Sequence, residues 1–295
     1  MRRGGYGLRS ETEMMELILS VAKNDERVRA VFLNGSRTNV NAPKDQFQDY
    51  DVVYLVTEIE SFIKDQRWIE AFGKRIIMQQ PEAMSLFPPE YPGQYAWLML
   101  FEDGNRIDLT IRPVKDLGAY LKGDKLTVML LDKDKRIAPL PPPSDEDYHV
   151  KKPSPEYFDD CCNEFWWVST YVIKGLCRKE FLYAAEHLNA NVRPQLLRML
   201  SWKVGIETGF SLSVGKAYKY LDKYVSPDTW ARLLTTYQND SAEHLMQALL
   251  ECQDLFRETS RFVAKELGFT YPDYDEKVSA YIEDLTTRWS PPGQV

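Results

Sequence analysis

Apolar residues recur at helical spacing between Glu11 and Lys23, on Met14, Leu17, Ile18 and Val21, which predicts an amphipathic helix. Val28 to Leu33 is a short apolar run ending in Asn34-Gly35-Ser36, read as a strand entering a turn that glycine lets close tightly. After a polar loop from Thr38 to Gln48, the segment Asp49 to Val56 alternates with period two. It places Asp49, Asp51, Val53 and Leu55 on one face of a strand and Tyr50, Val52, Tyr54 and Val56 on the other. Residues 59 to 73 read as helical, Ile76 to Met78 as extended, and Tyr95 to Phe101 as a buried strand. A turn at Glu102 to Asn105 leads into a further strand, Arg106 to Arg112, in which Asp108 alternates against Ile107 and Leu109.

The pattern then changes. Pro139, Pro141, Pro142, Pro143, Pro153 and Pro155 fall within seventeen residues among polar neighbours, which marks a linker. From Glu156 onward a 3.6-residue period dominates, as in Leu196, Leu197, Leu200 and Val204, and again in Leu245, Leu249, Cys252 and Phe256. The expected organisation is α+β: a mixed-sheet domain over 1–138, a Pro-rich linker over 139–155, and a helical bundle over 156–295.

At 295 residues and 44% hydrophobic content the chain can fill two cores. No apolar stretch approaches the roughly 20 residues of a membrane span, and no apolar run follows Arg2 and Arg3 to make a signal peptide. The expected compartment is the cytoplasm, where Cys161, Cys162, Cys177 and Cys252 stay reduced and mostly buried. A net charge of −7 weighs against a nucleic-acid partner, which needs clustered Lys and Arg, and leaves room for a cationic one. His149, His187 and His244 are scattered, which argues against zinc.

Asp49 and Asp51 project side by side from one strand face, so their charges repel, and a divalent cation resolves that repulsion. Magnesium suits two or three carboxylates, since substrate phosphates and water complete its shell. Asp108, flanked by Ile107 and Leu109, is the expected third carboxylate. Upstream, Gly35 brings main-chain N–H groups near a triphosphate, Ser36 adds a hydroxyl and Arg37 a planar cation. Each signal alone also fits surface-exposed acids. Their order, a strand ending in Gly-Ser, twelve residues, Asp-Tyr-Asp on a second strand and an Asp on a later one, resembles the nucleotidyltransferase fold shared with the polymerase β superfamily.

Longer motifs narrow the resemblance. Gly-Ser-Arg-Thr-Asn at 35 to 39, Phe-Gln-Asp-Tyr-Asp at 47 to 51 and Leu-Leu-Asp-Lys-Asp at 130 to 134 resemble the bacterial aminoglycoside 6-adenylyltransferases. So do Phe-Asp-Asp-Cys-Cys-Asn-Glu-Phe-Trp at 158 to 166, Lys-Gly-Leu-Cys-Arg-Lys-Glu at 174 to 180 and Tyr-Asp-Glu-Lys at 274 to 277. The resemblance implies transfer of AMP from ATP to the 6-hydroxyl of streptomycin, with release of pyrophosphate. It also implies that Asp49, Asp51 and Asp108 are the magnesium ligands and Gly35 and Ser36 the phosphate loop. Asn34 departs from the acid expected before the glycine, and residues 1 to 9 have no counterpart in the family pattern.

Streptomycin carries two guanidinium groups and an amine, which carboxylates hold in bidentate pairs and aromatic faces stack upon. Asp160, Glu164 and Trp167, early in the helical half, are the candidates for that contact, and Lys179 is the candidate cation for the nucleotide phosphates. The competing readings are acids that complement a helix dipole, core tryptophans and a solvated lysine. The expected partners are ATP and streptomycin, with neither nucleic acid nor membrane, on a monomer. The alternatives are another aminoglycoside or acceptor, or a catalytically silent nucleotide- or antibiotic-binding protein.

Overall fold

Ser10 starts the first helix, α1 (Glu11–Asn24): its hydroxyl accepts the Glu13 N–H, and the Glu13 carboxylate accepts the Ser10 N–H at 2.7 Å. This reciprocal cap satisfies donors that a helix start leaves open. The buried stripe is Met14, Ile18 and Ala22, one residue off the apolar positions read from the sequence at its C-terminal end. In the computed structural model, which describes residues 7–89 and 92–289, α1 lies against a six-stranded mixed sheet. Residues 1–6, among them Arg2 and Arg3, lie outside the described residues.

The strands are β1 (Val28–Asn34), β2 (Tyr50–Val56), β3 (Arg75–Gln79), β4 (Tyr95–Phe101), β5 (Arg106–Pro113) and β6 (Thr127–Asp132), in the order β3-β4-β5-β2-β1-β6. Only the central β2–β5 pair is parallel. Alternation divides the two strands by face. Tyr50, Val52, Tyr54, Ile107, Leu109 and Ile111 join Met14 and Ile18 in one core, and the Tyr54 hydroxyl donates to the Ile18 carbonyl at 2.6 Å. The opposite face carries Phe32, Leu55 and Tyr120 in a smaller cluster. Asp51 and Asp108 have the parity of that second face.

Two segments differ from expectation. The region read as one helix over 59–73 is a short helix, α2 (Glu60–Lys64), and a 3₁₀ segment, Arg67–Phe72. Asp65 breaks it: the residue is extended, and its carboxylate accepts the Arg67 N–H at 3.1 Å, an alternative to the helical bond. The second difference is β6, an edge strand that follows α3 (Leu117–Tyr120) and pairs with β1 across an irregular register. The 130–134 motif closes this edge. Asp132 accepts the N–H groups of Asp134 and Ile137, and Asp134 pairs with Arg29.

The chain divides after Asp147 into two compact units, Met1–Asp147 and Tyr148–Val295. The second is helical: α4 (Pro155–Cys177), α5 (Phe181–His187), a π-helical turn (Leu188–Val192), α6 (Arg193–Glu207), α7 (Pro227–Thr235), α8 (Ala242–Leu267) and α9 (Tyr274–Arg288). Ser154 caps α4 by accepting the Tyr157 N–H, and Pro155 occupies the first turn, where a missing N–H costs nothing. Phe165 on α4 stacks on Phe256 on α8 with centroids 3.7 Å apart, at the centre of a core that includes Trp166, Leu196, Leu200 and Leu249. All four cysteines are free thiols, Cys161, Cys162 and Cys252 buried and Cys177 exposed. No described helix is long and apolar enough to cross a membrane.

The 274–277 motif also has a structural explanation. Asp275, 1% exposed, accepts hydrogen bonds from Arg257, Tyr271 and Ser279, which fastens α9 to α8. Removing one partner of a buried ion pair strands the other charge. Asp275→Ala is expected to lower the unfolding free energy by about 3 kcal/mol or more, read from chemical denaturation followed by far-UV circular dichroism.

Candidate active site

Parallel pairing sets Asp51 on β2 directly beside Asp108 on β5. Asp49, just before β2, comes beside Arg106 by the same register, and Arg106 Nε lies 3.5 Å from an Asp49 carboxylate oxygen. Arg106 also grips Asp108 in bidentate fashion, Nε donating to Oδ1 and Nη2 to Oδ2, both at 2.7 Å. Three carboxylates therefore gather around one guanidinium, which leaves two formal negative charges. Burial pushes the Asp49 carboxyl above its ordinary range, Arg106 opposes the rise, and the Asp108 charge adds to it. The hydrogen bonds to Asp108 hold the Arg106 guanidinium above its ordinary value.

As they stand, no three His, Cys, Asp or Glu side chains among the described residues converge as a metal-binding group. The Arg106 guanidinium lies between Asp49 and Asp108, within ion-pair distance of both. The donor chemistry nevertheless fits magnesium: hard carboxylate oxygens, crowded on neighbouring strands, with excess negative charge. The register thus places the three aspartates expected from the sequence at neighbouring strand positions, with an unexpected arginine between Asp49 and Asp108.

The turn after β1 explains how Asp51 is accommodated. Gly35 has φ +71, and a Cβ placed there would lie 2.2 Å from Asp51 Oδ2. Only glycine fits both the conformation and the approach. Its N–H, expected to face phosphate, donates instead to the Leu126 carbonyl at the start of β6. Ser36 is half-buried in the same turn. Asn34 has both ends of its amide engaged: Nδ2 donates to Thr127 Oγ1 at 3.0 Å, and Oδ1 accepts from the Tyr120 hydroxyl at 2.7 Å.

Arg37 is placed differently from the expectation of a phosphate ligand. Its guanidinium donates to the main-chain carbonyls of Gln48 and Asp49 at 2.7 and 3.0 Å and stacks 3.7 Å from the Tyr50 ring. The Gln48 amide returns a hydrogen bond to the Ser36 carbonyl at 3.2 Å. Arg37 therefore clamps the turn to the segment that carries Asp49. Its side chain is only 9% exposed, because the planar ring and two inward carbonyls bury it.

In the helical unit, Asp160, Glu164 and Trp167 share one face of α4, spaced by a helical turn. Asp160 is exposed, and it lines a cavity of about 610 Å³ together with Lys151, Lys152, Arg198, Tyr157 and Trp202. Glu164 is half-buried, with the Asn191 amide 3.5 Å away. The two neighbouring tryptophans separate: Trp166 is core, whereas Trp167 is 58% exposed and its indole N–H donates to the Tyr171 hydroxyl at 2.7 Å. Lys179 ends α4 in a left-handed conformation, φ +60, with its side chain in solvent.

The sequence pattern described as Streptomycin adenylyltransferase matches residues 8–285, nearly the whole chain. The chain belongs to this family. Proteins named aminoglycoside 6-adenylyltransferase are its relatives. That of Campylobacter jejuni is 50% identical over 275 residues, 93% of this chain and 95% of the relative. That of Bacillus subtilis (strain 168) is 49% identical over 94% of this chain and 98% of the relative, and that of Staphylococcus aureus 40% identical over 94% and 99%. Membership makes the chain an enzyme of the nucleotidyltransferase class and implies AMP transfer to an aminoglycoside.

Within this family member, sequence reasoning missed Arg106, although its alternation with Asp108 two positions away already put both on one strand face. Two substitutions probe the backbone at the candidate residues. Gly35→Ala is expected to cost about 1–2 kcal/mol through the left-handed conformation and to displace Asp51. Thermal denaturation reads the first effect, and loss of AMP transfer to an aminoglycoside reads the second. Lys179→Gly relieves a conformation that lysine rarely adopts and is expected to stabilise the protein by about 1 kcal/mol. Denaturant unfolding measures that gain.

Proposed function

We propose that the enzyme transfers AMP from ATP to the 6-hydroxyl of streptomycin and releases pyrophosphate. The supporting observation is the register that sets Asp51 beside Asp108, with Gly35 making room for the Asp51 carboxylate, in a chain of this family.

In the proposed reaction the antibiotic hydroxyl oxygen forms a bond to the α-phosphorus of ATP. The bond from that phosphorus to the bridging oxygen of pyrophosphate breaks, and the hydroxyl proton passes to the Asp108 carboxylate. Asp49, Asp51 and Asp108 would hold magnesium, which when bound supplies positive charge to phosphate oxygens that gain negative charge during transfer. Gly35 keeps the Asp51 carboxylate oriented, Arg37 fixes the backbone on either side of the loop, and the Ser36 hydroxyl is assigned to a phosphate oxygen. Lys179 is assigned to the same phosphates as an exposed point charge.

Streptomycin is assigned to the exposed face of α4. Glu164 offers a carboxylate for a guanidinium group, and the Trp167 ring offers a face on which a guanidinium plane can stack. Asp160 is the weaker member of this set, since Lys151, Lys152 and Arg198 line the same cavity and repel a polycation.

Mass spectrometry of streptomycin after incubation with the enzyme, ATP and magnesium is expected to show a gain of one AMP. Spectinomycin or kanamycin modified in place of streptomycin would overturn the acceptor assignment. A folded Asp51→Asn protein is expected to lose turnover by about a hundredfold or more, and near-normal pyrophosphate release from it would remove the metal-site assignment.

A further inference from the structure

Arg106 lies among the carboxylates but has no part in the chemistry proposed above. Its guanidinium accounts for both oxygens of Asp108 at 2.7 Å and reaches Asp49 at 3.5 Å, while 43% of its side chain faces solvent. The groups around it are acidic: Asp49 just before β2, Asp51 on β2 and Asp108 on its own strand all raise the stability of its charged form. A partly exposed arginine with acidic neighbours is held by its charge-assisted hydrogen bonds to Asp108 and its ion pair with Asp49. Long-stemmed cations in such settings exchange partners readily.

The inference that follows rests on the reading of Asp49, Asp51 and Asp108 as ligands of a divalent cation. We infer that Arg106 is an internal competitor for that cation, occupying Asp108 and leaving it when the ion binds. The physical reason is shared use of one carboxylate. While both Asp108 oxygens accept guanidinium N–H groups, their lone pairs are engaged and their charge is compensated, so the group is a poorer ligand. A divalent cation at the same oxygens is repelled by the guanidinium beside them. Release of Arg106 therefore accompanies loading of the ion. The released guanidinium, with its planar set of donors, is suited to the phosphate oxygens that arrive with the nucleotide. Arg106 is a positioning residue in this scheme: it keeps the acidic face intact and occupies Asp108 until the cation is present.

A purely structural arginine, stapling the start of β5, makes the opposite forecast, because its removal would loosen the carboxylates and weaken the ion. Manganese binding to the full-length protein, followed by electron paramagnetic resonance with Mn²⁺ alone and no nucleotide, separates the two. Arg106→Gln is expected to bind Mn²⁺ about 3- to 10-fold more tightly than the native protein, the range expected from losing one bidentate, partly exposed ion pair. Arg106→Lys, which can offer only a point charge, is expected to fall between. In Asp108→Asn the effect of Arg106→Gln is expected to vanish. Circular dichroism checks that each variant is folded, and Arg106→Lys carries the test if Arg106→Gln is not. Equal or weaker Mn²⁺ binding by folded Arg106 variants overturns the inference while the cation reading stands. Absence of Mn²⁺ binding by the native protein overturns both.

Discussion

The parallel pairing of β2 with β5 sets carboxylates on adjacent strands around one arginine, Arg106. Two parallel strands set Asp51 beside Asp108 and bring Asp49 within reach, and burial pushes the Asp49 carboxyl above its ordinary range. The surrounding residues fit that constraint. Gly35 has no Cβ, so the Asp51 carboxylate lies where any other side chain would collide. Asn34 stands opposite Asp51 on β1 as an amide, donating to Thr127 and accepting from Tyr120. A carboxylate at that position would lose the donor and add a fourth negative charge. The departure from the family pattern at Asn34 is therefore electrostatically consistent with this site.

Much of this was legible in the sequence because strand periodicity alone decides which residues share a face. Asp49, Asp51 and Asp108 could be grouped by alternation, and the turn at Gly35 by composition. What alternation cannot supply is register, and register decides that Asp51 meets Asp108 and that Arg106 lies between Asp108 and Asp49. The inward turn of Arg37 was illegible for a different reason: its guanidinium suits phosphate oxygens and main-chain carbonyls equally, and only the path of the Gln48–Asp49 backbone selects the latter. β6 escaped notice as a short edge strand whose pairing is interrupted by an irregularity against β1.

The helical unit separates motif from chemistry in another way. Residues that mark family membership include Asp275, which is buried at the junction of α8 and α9, and Trp166, which is core. Their neighbours Glu164 and Trp167 turn outward from the same helix. A 3.6-residue repeat thus interleaves residues that hold the fold with residues that face outward, and a contiguous motif such as 158–166 contains both. The cavity beside Asp160 carries three cationic side chains, so the overall acidity of the chain does not extend to every concave surface.

The parallel β2–β5 pair has a consequence for the order in which the molecule forms. Asp51 and Asp108 are roughly sixty residues apart along the chain, and β3 and β4 must be threaded to the far side of β5 before the two strands can align. Non-local parallel pairing is slow because loop-closure entropy is lost before contacts repay it. Local hairpin contacts between β4 and β5 can form early, whereas the carboxylates meet only when the sheet closes at its centre. The two aspartates are far apart along the chain, and their mutual repulsion therefore arises only where β2 and β5 align in the sheet.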